Sequence, residues 1–139
     1  MPLAGRVVAS RSPPAPMARI LIVDDDTAVR ATVRHILERA GYETVEASDG
    51  RDGSRLLEGV DLVITDLLMP EMAGVDLLGV MRKAGHTMPV IAMSGGGKVD
   101  SKSYLEVARA LGAFATIAKP FDLEHLLQTV RDALASGRR

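Results

Sequence analysis

The chain has no cysteine and no tryptophan, and only two phenylalanines and two tyrosines among 139 residues. Without cysteine, disulfides, thiolate chemistry and cysteine-ligated metals are excluded. With so few aromatics, the core must be aliphatic, helped by seven methionines. The formal net charge is −1, which gives no electrostatic case for nucleic acid or an anionic membrane as partner. No apolar run approaches the roughly 20 residues of a membrane-spanning helix. The stretch Val7-Val8-Ala9 is too short for the apolar region of a signal peptide. A cytoplasmic location is the default expectation.

What is present reads as one globular domain. Apolar residues make up 47% and charged residues 25%, ordinary values for such a domain, and the length allows a self-sufficient core. Residues 1–17 stand apart, with Pro13, Pro14 and Pro16, small side chains and no periodicity. Two expectations compete for them: a disordered N-terminal tail, or residues upstream of a natural start at Met17. The intact mass of natively expressed protein separates the two.

From Arg19 onward, strand and helix patterns alternate. Strands are expected over about 19–23, 43–47, 61–65, 89–93 and 114–118. The second of these is half polar, as an edge strand would be. The other four are near-continuously apolar, as strands buried on both faces should be. Helices are expected over about 26–40, a short stretch up to about 58, 74–84, 100–111 and from Asp122 onward. In the first, Val29, Val33, Ile36 and Leu37 form one stripe, and Gly41 stands where a C-cap glycine belongs. In the last, Asp122 is a good N-cap, with Leu123, Leu126, Leu127, Val130 and Leu134 turned inward. Leu67–Ala73 reads as a loop, and Ser94-Gly95-Gly96-Gly97 as a flexible one by composition. Five β–α units imply an α/β fold with a parallel sheet and helices on both faces.

The chemistry gathers at the carboxyl ends of these strands, where ligands of open α/β sheets bind. Asp24, Asp25 and Asp26 end the first apolar run, Asp66 the third, and Lys119 the fifth. Helix capping explains one aspartate at a helix start. It explains neither three in a row nor the fourth at Asp66. Adjacent carboxylates repel, and each is costly to desolvate without a partner. A hard divalent cation such as Mg²⁺, which takes carboxylate, water and phosphate oxygens, accounts for the cluster better. Beside such a cation and Lys119, Asp66 looks like a nucleophile toward a phosphoryl group. Catalysis of that transfer is mostly positioning and charge neutralisation. Ser94, at the end of the fourth strand, offers a hydroxyl for a phosphoryl oxygen. Taken singly, Asp66 would be a loop acid, Ser94 a loop serine and Lys119 a solvated surface lysine.

These residues resemble the receiver domain of two-component response regulators (CheY-like). The segments that carry the resemblance are Ile20-Leu21-Ile22-Val23-Asp24-Asp25-Asp26, Asp66 with Met69-Pro70-Glu71-Met72-Ala73-Gly74, Ser94, and Lys119-Pro120-Phe121, all in the family's order. The resemblance covers about residues 18–136, with 137–139 as a tail. It implies a flavodoxin-like doubly wound sheet of order 2-1-3-4-5. It further implies that Asp66 is the phosphoacceptor, Asp25 a direct Mg²⁺ ligand, Asp24 a ligand acting through water, and the backbone carbonyl of Leu68 another ligand. Ser94 resembles the family's switch hydroxyl and Lys119 its phosphate-pairing lysine. The Lys119-Pro120 bond is cis in the family, which an X–Pro bond tolerates. The implied partners are a histidine kinase or histidine phosphotransfer protein as donor and an unidentified protein as output, with no nucleic acid and no membrane. With Arg139 just past the last helix, a stand-alone module is expected, monomeric or weakly dimeric through its last two helices.

Two departures from the family pattern stand out. The place three residues before the lysine, usually Tyr or Phe, is Thr116. Ser94 and Lys119 lie 25 positions apart (119 − 94), a few more than is usual. The excess falls near Gly95-Gly96-Gly97, so readout of phosphorylation is expected through that loop and the helix after it. Leu68 is expected to hinder water and slow dephosphorylation.

Other function classes fit less well. An unphosphorylated pseudo-receiver scaffold gains only from Thr116. A haloacid-dehalogenase-like phosphatase would need Thr or Val where Ala28 stands, and a cap domain. A phosphate loop at Gly95-Gly96-Gly97-Lys98 would need Ser or Thr at Val99 and Gly at Ala92. The expected activity is self-catalysed phosphoryl acceptance and slow autodephosphorylation, not turnover of a substrate.

Overall fold

The computed structural model describes residues 18–66, 74–95, 106, 108–110 and 112–137. The expectations for residues 1–17, the Leu67–Ala73 loop, Gly96, Gly97 and most of the helix over 100–111 lie outside these. Glu106 and residues 108–110 are helical. Five strands are described: β1 (Arg19–Val23), β2 (Glu43–Ala47), β3 (Leu62–Asp66), β4 (Val90–Gly95) and β5 (Ala115–Lys119). The remaining helices are α1 (Thr27–Arg39), α2 (Gly50–Ser54), α3 (Gly74–Lys83) and α4 (Leu123–Gly137). All strand pairs are parallel, in the order β2-β1-β3-β4-β5. This is the doubly wound arrangement expected of the sequence.

The two-residue period of a strand sorts each run onto two faces. On β1, Ile20 and Ile22 join Leu62 and Ile64 of β3, Ile91 and Met93 of β4, and Ile117 of β5. Val33 and Leu37 of α1 and Leu126, Val130 and Ala133 of α4 cover that face. Leu21, Val23, Val63, Val90 and Ala92 point the other way, against Leu77, Leu78 and Met81 of α3. The central strands are therefore apolar on both faces through their middle, with polar residues at their ends. Gly41 has φ +98°, so the glycine after α1 occupies a conformation that side chains disfavour. Asp122 Oδ2 accepts from the His125 backbone N–H at 3.1 Å, the cap that starts α4.

Several expectations need correction. Ser94 and Gly95, read as the start of a loop, are the last residues of β4, and α2 ends at Ser54 rather than near 58. β5 is not buried on both faces: Ile117 is buried, Ala118 is exposed and the rest are intermediate. The cause is its place at the edge, paired with β4 alone. Phe114 lies ahead of β5 and is 43% exposed. Leu123 is 48% exposed rather than inward. As the first residue of α4, it projects back past the start of the helix, away from the layer that Leu126 and Val130 fill.

Candidate functional site at the carboxyl edge of the sheet

Strand register brings the acids together. Val23 pairs with Thr65, so the next residue on each strand, Asp24 and Asp66, emerges side by side. Asp66 is itself the last residue of β3 and pairs with Met93, which sets Ser94 one step further out. Ser94 in turn pairs with Ala118, and Gly95 with Lys119. Asp66, Ser94 and Lys119 thus lie within the last turns of the ladder rather than just beyond it.

Each of the three consecutive aspartates has a different task. Asp26 is the N-cap of α1: its Oδ1 accepts from the backbone N–H of Ala28 at 2.9 Å and of Val29 at 3.3 Å. Asp24 is fully buried. Its Oδ1 accepts from the Asp26 N–H at 2.9 Å, and its Oδ2 from Lys119 Nζ at 3.0 Å. Asp25 is exposed. Capping therefore accounts for one acid of the three and leaves two for other work.

Asp66 is 7% exposed and also accepts from Lys119 Nζ, at 3.3 Å. Ser94 is buried close by in sequence register, at 5% exposure. Carboxylate oxygens of Asp24, Asp25 and Asp66 all lie within 4.8 Å of one another. Three carboxylates lie this close, two of them buried, and the Lys119 ammonium pairs with both buried ones. Such an excess of negative charge is costly in a poorly solvated place. The donor set is all oxygen, which suits a hard divalent cation and no soft one.

Burial of the Lys119 ammonium works to lower its pKa. The hydrogen bond and charge of Asp24, then the charge and hydrogen bond of Asp66, outweigh that and raise it above its ordinary value. Lys119 is therefore a permanent cation at neutral pH. The Lys119-Pro120 bond is cis, as the resemblance implies. An apolar groove of about 450 Å³ opens beside Lys119, lined by Ala28, Val29, Thr32, Pro120 and Phe121. Leu68 lies outside the described residues.

Residues 20–131 match the response regulator receiver domain. The chain belongs to this family. Sporulation initiation phosphotransferase F of Bacillus subtilis is 31% identical over 118 residues, covering 84% of this chain and 93% of that protein. Transcriptional regulatory protein GlrR of Escherichia coli is 38% identical over 119 residues, again 84% of this chain but 26% of that protein. A receiver domain from Clostridium thermocellum superposes with a TM-score of 0.79 at 30% identity, over 86% of this chain and 96% of that one. The chemotaxis protein CheY4 of Vibrio cholerae gives 0.74 at 31%, over 85% and 99%. The chain spans between a quarter and a half of the length of the longer regulators it matches. Receiver domains are signalling modules of two-component systems, and none of the described helices is long and apolar enough to cross a membrane.

Sequence reasoning missed one group that touches this site. Arg30 of α1 donates through Nη1 to the Asp24 carbonyl at 2.7 Å and through Nε to Glu46 Oε1 at 3.0 Å. Arg34 Nη1 takes the other Glu46 oxygen at 2.9 Å. Arg30 and Arg34 lie one helical turn apart on α1, but nothing in the sequence alone links them to Glu46.

Proposed function

We propose that the protein accepts a phosphoryl group on Asp66 from a phosphohistidine of a histidine kinase or histidine phosphotransfer protein. The observation that carries this reading is the Lys119 ammonium shared by Asp24 and Asp66 beside the exposed carboxylate of Asp25. A carboxylate oxygen of Asp66 attacks phosphorus and forms a P–O bond. The P–N bond to the donor imidazole breaks, its electron pair stays on nitrogen, and that nitrogen takes a proton from solvent. The product is an acyl phosphate.

Lys119 pairs with a phosphoryl oxygen as charge arrives, and the Ser94 hydroxyl donates a hydrogen bond to another. Asp24, Asp25 and Asp66 would hold Mg²⁺, and the carbonyl of Leu68 would join them on the family resemblance alone. When bound, the cation neutralises the acids and the phosphoryl oxygens. The apolar groove beside Lys119 favours a protein donor, which can bury surface there.

The added charge of about −1.5 to −2 biases a two-state surface that a partner protein reads. The match to phosphotransferase F over 93% of its length supports a free-standing relay unit. An immunoblot of the source cells tests that point: a band at the size of this chain agrees with it, and one at the size of a longer regulator overturns it.

The test of the function is transfer of labelled phosphate from a panel of autophosphorylated histidine kinases. Label should reach the native protein and not Asp66→Asn. No label from any donor would favour the second reading, an unphosphorylated scaffold, which Thr116 at the place of the family's aromatic residue supports.

A further inference from the structure

We infer that Arg30 is a positioning residue for the acid site, holding the Asp24–Asp25 peptide so that both carboxylates face the cation. The inference rests on the reading that this site binds Mg²⁺. The β1 ladder ends at Val23, paired with Ala47 on one side and Thr65 on the other. The Asp24 N–H still finds the Ala47 carbonyl at 3.2 Å, but the Asp24 carbonyl lies past the last paired residues. Arg30 fills that gap with a 2.7 Å charge-assisted bond.

The guanidinium cannot swing freely. Its side chain is only 15% exposed, and its Nε is held by Glu46 at 3.0 Å. Glu46 is itself held by Arg34 at 2.9 Å. Glu46 pairs with Ile22 on β1 and immediately precedes Ala47, the acceptor of the Asp24 N–H. Both flanks of the Asp24 residue are thus tied to β2, one directly and one through Arg30. The planar fork of arginine makes both bonds at once; lysine, a point donor, can make only one well.

Charge and position predict opposite signs, which makes the inference testable. A cation beside a dication site repels Mg²⁺, so removing it for charge reasons alone would tighten binding. Removing a peptide's anchor loosens the ligands, and outer-shell losses in metal sites cost 10–100-fold in affinity.

Mg²⁺ affinity should be measured by titration calorimetry on the full chain, native and as Arg30→Met, Arg30→Lys and Glu46→Gln, each checked for cooperative unfolding. Arg30→Met should bind at least about tenfold more weakly. Arg30→Lys should recover part of the loss, and Glu46→Gln, which frees the fork, should weaken binding less than Arg30→Met. Equal or tighter binding by Arg30→Met overturns the inference while leaving the cation site intact. If Arg30→Met does not fold, Arg30→Lys with native affinity overturns it in the same way. Native protein that binds no Mg²⁺ sinks the cation site, and this inference with it.

Discussion

Lys119 Nζ donates to Asp24 Oδ2 at 3.0 Å across 95 positions of sequence. The two residues sit on β5 and just past β1, with β3 and β4 between those strands. The lysine therefore reaches back across the edge of the sheet and meets Asp66 on the way, at 3.3 Å. One ammonium thus pairs with both buried carboxylates, and removing it takes away a positive charge that offsets their repulsion.

Lys119→Met should accordingly destabilise the Mg²⁺-free protein by on the order of 3 kcal/mol, because it leaves a buried charge without its partner. The pH dependence has a definite sign. The folded-state pKa of Lys119 lies above its unfolded value of 10.5, so its contribution is complete below that value. It is lost only as pH rises through the still higher folded-state value. Denaturant unfolding of native and variant protein should show a constant gap from neutrality to about pH 10 that narrows above it. A gap already closing between pH 7 and 9 would contradict the assigned pairing.

Asp25 adds a third, exposed carboxylate beside the two that Lys119 pairs with. Asp25→Asn should therefore stabilise the Mg²⁺-free protein by about 0.5–1 kcal/mol. Mg²⁺ at about 100 times its Kd should stabilise the native protein by about 2.7 kcal/mol, and the variant by much less. Thermal melts with and without the ion check both parts, and equal Mg²⁺ stabilisation of the two proteins would remove Asp25 from the site.

Ser94→Ala should keep Asp66 as acceptor but slow its phosphorylation. A hydrogen bond to a charged acceptor contributes about 1.5–3 kcal/mol, so a loss of rate of roughly ten- to 150-fold is expected. The time course of phosphoryl incorporation measures it, and an unchanged rate would make Ser94 an ordinary buried serine.

Gly53 shows where packing overrules helix preference. A Cβ there would stand 3.0 Å from Val23 Cγ2 and 3.6 Å from Leu77 Cδ2, both on fully buried side chains. Gly53→Ala should lower stability by about 1 kcal/mol through overpacking, even though alanine is the better helix former. Mg²⁺ affinity should not change. A more stable variant would show that α2 can lift from β1 without penalty.

Much of this was legible because apolar runs and site residues coincide. Leu62-Val63-Ile64 leads into Asp66, and Ile117-Ala118 into Lys119, so reading the strands located the residues that the structure brings together. Parallel register then does the rest, since it sets neighbouring strand ends side by side. Leu123 and β5 were misread for a shared reason: periodicity shows which residues could face a core, not where the layer stops. Arg30 and Glu46 were invisible as a pair because either alone looks like a solvated surface charge. Their link depends on how α1 lies over β2, which no local pattern encodes. Of the glycine-loop readout expected after Ser94, Gly95 is the last residue of β4, while Gly96, Gly97 and most of the helix that follows lie outside the described residues.

The central claim is that Asp66 is a Mg²⁺-dependent phosphoacceptor. Intact-protein mass after incubation with Mg²⁺ and a small phosphodonor tests it most directly, for native protein and Asp66→Asn. The account predicts one base-labile phosphoryl group on the native chain, absent from the variant and absent with EDTA. A native chain that stays unmodified while binding Mg²⁺, or a variant labelled equally well, would contradict it.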